Sequence, residues 1–103
     1  EKSIKGSTVL VVGVAYKKDV SDVRESPALD IIQLLERKGG NVIYYDHHVP
    51  VINDHVFNMR SETSLETALD ACDCAIIVTD HSDYDWAMIK EKAPVLVDTR
   101  NVT

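Results

Sequence analysis

Lys17, Lys18 and Arg24 share one short charged stretch with Asp19, Asp22 and Glu25, directly after the apolar run 9–12 and Gly13. Glu25-Ser26-Pro27 then opens a helical pattern. A strand that stops at glycine, a cationic loop and a helix start together make a place for an anion. Backbone N–H groups and the positive end of the helix dipole favour negative charge there. Arg100 stands in a comparable position, in Asp98-Thr99-Arg100-Asn101 after the last apolar run. An arginine oriented by carboxylates can fork onto a phosphate. We take the anion to be the diphosphate of a nucleotide. The plainer alternative is that these cations are solvated and paired with neighbouring carboxylates, which is worth about 0 to 1 kcal/mol per pair. The strand terminus before Lys17, and the place of Arg24 just before a helix, favour a site.

Other groupings carry less. Gly-Val-Ala-Tyr-Lys-Lys (13–18) lacks the second glycine of G-x-x-x-x-G-K-[ST]. It is not G-x-G-x-x-G either, because Val14, Ala15 and Tyr16 offer no close backbone approach. His47, His48, His55 and His81 lack metal-ligand spacing and read as surface loop histidines, with no metal. Cys72 and Cys74 lie two apart, so on a strand they diverge and a disulfide is implausible. Cys74 reads as a small core residue. Ser82 beside His81 has no scaffold for a triad. A phospho-receiver needs an aspartate cluster at the end of the first strand, where Gly13 stands.

The elements that must hold these residues follow from periodicity. Residues 8–12 are apolar on both sides, as in a central parallel strand. A helix follows from Pro27, capped by Ser26 or Asp22, with Leu29, Ile32 and Leu35, joined by Ile31 and Leu34, on one wide face. Gly39-Gly40 ends it. Residues 42–45 form a second strand stopped at Asp46, and 56–59 a short third. Thr63 or Ser64 caps a helix over 65–71. Strand 74–79, loop 80–84, helix 86–92 ended by Pro94, and strand 95–98 complete the chain. Alternation of this kind implies βα units and a parallel sheet. The expected fold is α/β: a Rossmann-like three-layer α/β/α sandwich with about five parallel strands in the order 3-2-1-4-5. Ligands gather where such an order reverses, outside the carboxyl ends of the strands. That rim carries residues 13–18, 79–84 and 98–101.

The chain has 103 residues, 45% hydrophobic and 27% charged, which suits one modest domain. A net charge of -6 argues against nucleic acid as a partner. No apolar run reaches the roughly 18 to 20 residues of a membrane span. The cysteine usage and the lack of a signal segment suggest a cytoplasmic setting. The start at Glu1, without Met, suggests a piece of something longer.

Four blocks now bear on identity. They are G-V-A-Y-K-K-D-V-S-D-V-R-E-S-P-A-L, Y-Y-D-x-x-V-P, A-C-D-C-A-I-I-V-T-D-H, and V-D-T-R-N-V. Together they resemble the C-terminal, UDP-binding domain of the UDP-glucose/GDP-mannose dehydrogenase family, over residues 8–102. The wording around Asp19 and Asp80 is most similar to the UDP-N-acetylglucosamine 6-dehydrogenase branch. The resemblance implies oxidation of a nucleotide sugar at C6 to the uronate, with NAD as oxidant and a cysteine nucleophile. That cysteine and the NAD-binding glycine loop belong to earlier parts of the family's chain, so neither Cys72 nor Cys74 inherits a catalytic role. Binding roles do carry over. Tyr16 and Lys17 match the pair at the UDP-sugar site, and Arg100 matches a second contact to that substrate. Arg24 matches the arginine that reaches NAD. The implied partners are a UDP-sugar, the rest of the same chain and further copies in a homo-oligomer. His47 replaces the family's usual proline and Thr99 its commoner glycine. The competing expectation is a non-catalytic Rossmann-like interaction module for subunit assembly.

Overall fold

Val9 and Val11 point to one side of the central strand and Leu10 and Val12 to the other, and all four are buried. A strand buried on both faces needs a layer above and a layer below. The computed structural model, which describes residues 5–15, 27–53, 58–79, 81 and 84–99, supplies both. In chain order the elements are β1 (Thr8–Val12), α1 (Pro27–Arg37), β2 (Asn41–Tyr45), β3 (Val51–Asn53) and β4 (Asn58–Arg60). Then come α2 (Leu65–Ala71), β5 (Cys74–Ile77), α3 (Trp86–Lys92) and β6 (Leu96–Asp98). The main sheet is parallel in the order β2-β1-β5-β6. β1 and β5 are therefore neighbours, and the strand order reverses between them, as the sequence leads one to expect.

Helix α1 covers one face of the sheet, placing Ala28, Ile32 and Leu35 against Val9, Val11, Val42 and Tyr44. Leu34, expected on that face, is 52% exposed. The helix ends in a Schellman motif. Gly39 takes φ +85°, its N–H donates to Glu36 O, and the Gly40 N–H donates to Leu35 O. Helices α2 and α3 cover the other face, where Leu65, Leu69 and Ile89 meet Leu10, Val12, Ala75 and Ile77. Ser64 is the N-cap of α2, accepting from the Thr67 N–H at 3.2 Å. Lys92 of α3 reaches Glu66 and Asp70 of α2 at 3.3 and 3.6 Å.

The expected third parallel strand is corrected. Residues 58–60 pair antiparallel with 51–53 in a separate hairpin, and the parallel sheet has four strands among the described residues. A parallel partner would need a crossover of a dozen or more residues, whereas a hairpin closes locally at little entropic cost. The hairpin is fastened at its open end. Ser61 N–H donates to Pro50 O at 2.9 Å and Glu62 N–H to Tyr44 O at 2.8 Å.

Candidate functional site

Gly13 ends β1 with φ +84°, and its N–H still donates to Tyr45 O on β2 at 2.9 Å. Beyond it the ladder stops and a side chain takes over. The buried Asp46, at the end of β2, accepts from the Val14 and Ala15 N–H groups at 2.9 and 3.1 Å, both through Oδ2. On the other side of β1, the Thr79 hydroxyl donates to the Ala15 carbonyl at 2.7 Å. The chain leaving β1 is thus held from both neighbouring strands up to Ala15.

Asp46 has more partners. His81 Nε2 lies 2.8 Å from Oδ2, and neither side chain is exposed at all. The His48 N–H donates to Oδ1 at 3.0 Å, and the Asp46 N–H donates to Ser61 Oγ at 2.9 Å. Rings gather around this carboxylate. His48 stacks on His81 with centroids 4.2 Å apart at 30°, and Tyr84 meets His81 edge-on at 5.2 Å. Tyr84 also lies 5.6 Å from Tyr45 and 5.5 Å from Trp86. Tyr44 donates to Val49 O at 2.9 Å. Burial, with the Asp46 charge next in importance, pushes its hydroxyl up to about 12.

At the far side of the rim, Thr99 follows β6. Its hydroxyl and its N–H both donate to Ile77 O at the end of β5. Ala15, Thr79 and Thr99 therefore stand at the carboxyl ends of three adjacent parallel strands. Each lies within one of the segments expected at the rim, 13–18, 79–84 and 98–101. Tyr16, Lys17, Arg24 and Arg100 themselves lie outside the described residues.

Two expectations change. His81 is no surface loop histidine but a fully buried one, because a buried carboxylate needs donors and its ring supplies one. Of the two cysteines, Cys72 is the core residue at 5% exposure, while Cys74 is only partly buried. Burial pushes both thiols above their usual range, away from thiolate reactivity. Sequence reasoning read Asp46 only as a strand stop. The available signal was a carboxylate at a strand end, one strand away from a loop whose amides leave the ladder.

Residues 10–103 match the family model described as UDP-glucose/GDP-mannose dehydrogenase family, UDP binding domain. The UDP-glucose 6-dehydrogenase TuaD of Bacillus subtilis is 34% identical over 112 residues, spanning 97% of this chain and 23% of that protein. The UDP-N-acetyl-D-mannosamine dehydrogenase of Methanococcus vannielii is 32% identical, over 97% of this chain and 24% of that one. Among solved structures, the NDP-N-acetyl-D-galactosaminuronic acid dehydrogenase of Methanosarcina mazei superposes with a TM-score of 0.78 at 29% identity. That match covers 99% of this chain and 22% of the other. The chain thus spans about a quarter of the length of the curated relatives it matches.

Proposed function

Because this chain belongs to the UDP-glucose/GDP-mannose dehydrogenase family, we propose that it is the nucleotide-sugar-binding domain of an NAD-dependent UDP-sugar 6-dehydrogenase. Tyr16 and Lys17, after β1, and Arg100, after β6, hold the UDP part of the substrate. Arg24, before α1, faces the NAD carried by the rest of the enzyme. The sugar is a UDP-hexose such as UDP-glucose or an N-acetylated relative, and its ring rests mainly on the remainder of the enzyme. The chain by itself binds UDP weakly and turns nothing over.

One observation supports this reading above the rest. The carboxyl ends of β1, β5 and β6 are adjacent and parallel, and the residues just before positions 16 and 100 are hydrogen-bonded to neighbouring strands. Cations entering from such anchored ends lose less freedom on closing over a diphosphate. The test is titration of the 103-residue chain with UDP, followed by backbone amide NMR. Shifts at 14–18 and 98–101, abolished in the double variant Lys17→Ala with Arg100→Ala, are the expected result. Shifts confined to other regions refute the reading.

A second reading is favoured by exposed apolar groups at the β6 end of the sheet, Val95 at 56% and Val97 at 46%. Such a patch suits contact with the remainder of the enzyme or with another copy. Substrate affinity kept and assembly lost in Val95→Ser with Val97→Ser would assign this edge to assembly.

A further inference from the structure

We propose that Asp46 is a positioning residue that fixes the start of the nucleotide-binding loop, and that His81 holds Asp46 in the orientation this requires. The proposal rests on the nucleotide reading of Tyr16 and Lys17 given above.

The carboxylate is fully buried, a costly placement unless its oxygens are satisfied. They are satisfied by four donors from three separate loops. Val14 and Ala15 N–H come from the exit of β1, His48 N–H from the turn after β2, and the His81 ring from the exit of β5. The sheet does not need these bonds. Its ladder is complete at Gly13, whose N–H reaches Tyr45 O. Asp46 takes over at the next two residues, the last described before Tyr16. Two successive amides held by one oxygen set the direction in which the chain leaves the strand. A change there is passed to Tyr16 and Lys17 without any contact between Asp46 and ligand.

A carboxylate is required because both oxygens accept. Asparagine has nearly the same volume but only one acceptor oxygen. Its amide N–H₂ must face either the His48 N–H or the cluster of Val14, Ala15 and His81 donors. For the same reason the His81 ring must donate through Nε2 toward Asp46. Its stacking on His48 holds the ring plane in place. Glutamine at position 81 places an N–H₂ donor where Nε2 now lies, whereas leucine does not.

The experiment compares the 103-residue chain with Asp46→Asn, His81→Gln and His81→Leu. Three quantities are read: UDP affinity by NMR titration, amide hydrogen exchange at Val14, Ala15, Leu10 and Val11, and urea stability. Asp46→Asn is expected to weaken UDP binding about tenfold and to speed exchange at Val14 and Ala15 by about tenfold or more. Leu10 and Val11 keep their protection, because their bonds belong to the ladder. His81→Leu shows the same pattern more weakly, and His81→Gln restores it toward the parent chain. UDP affinity in Asp46→Asn within about twofold of the parent overturns the proposal. So does exchange that rises equally at all four amides, which marks a purely global loss of stability. If Asp46→Asn fails to fold, His81→Leu against His81→Gln decides, and equal affinities overturn the role of His81. If the parent chain shows no UDP shifts, the nucleotide reading fails instead. The exchange comparison then judges the anchoring alone: local acceleration upholds it and its absence ends it.

Discussion

A Cβ on Gly13 would lie 2.5 Å from the carbonyl oxygen of Thr79 and 2.7 Å from its Cβ. The ends of β1 and β5 approach so closely that only a hydrogen fits between them. The same two strand ends are then tied by the Thr79 hydroxyl on Ala15 O. Gly13→Ala combines this clash with φ +84°, a left-handed conformation that alanine adopts only under strain. The expected cost is roughly 3 kcal/mol or more, read from urea unfolding. A variant as stable as the parent would mean that the two strand ends are not in contact.

Tyr44 ties alkaline stability to this end of the fold. Its hydroxyl is raised from 10.0 to about 12 by burial and by the nearby Asp46 charge, with a hydrogen bond from Ser61 acting the other way. The unfolded chain loses this proton near the ordinary value while the folded chain keeps it. The stabilisation is therefore fully present below about pH 10 and is lost as pH rises toward about 12. Its size is on the order of 2 kcal/mol. Unfolding free energies of the parent should fall more steeply than those of Tyr44→Phe across that window. The remaining tyrosines are common to both chains and cancel. Near neutral pH, Tyr44→Phe should itself cost about 1 to 2 kcal/mol by removing the donor to Val49 O.

Helix α1 separates burial from pattern. Ile32 is fully buried and Leu34 is 52% exposed, two positions apart on one helix. Ile32→Ala should cost about 2 to 5 kcal/mol and Leu34→Ala no more than about 0.5, both measured by urea midpoint. Equal costs would indicate that a partner covers Leu34 in solution.

The start of α2 gives a smaller, sharper contrast. Ser64 Oγ accepts from Thr67 N–H, while Thr63 is exposed ahead of the helix. Ser64→Ala should cost about 1 kcal/mol. Thr63→Ala should stay within about 0.5 kcal/mol. Reversal of that order, by thermal or urea unfolding, would move the cap to Thr63.

Local elements are largely legible in the sequence itself. Residues 65–71 and 86–92 read as helices and are α2 and α3. The double glycine at 39–40 read as a helix end and forms the Schellman motif. Gly13 read as a strand terminus, which its positive φ and its approach to Thr79 explain. Periodicity and capping report how a short segment meets its core and its own unpaired amides, and both are encoded within a turn or two of chain.

What the sequence by itself determined, then, is the alternation of strands and helices, the two-sided burial of β1 and the family-like blocks around its cations. Tertiary structure alone decided that 58–60 turns back onto 51–53 and not into the sheet, and that His81 is buried against Asp46. His81 and Asp46 are 35 positions apart, and either one alone looks like a polar loop residue. A buried polar pair is favourable only when both members arrive together with the amides that complete their hydrogen bonds. No local pattern records that meeting, because it exists only once three strands have been laid side by side.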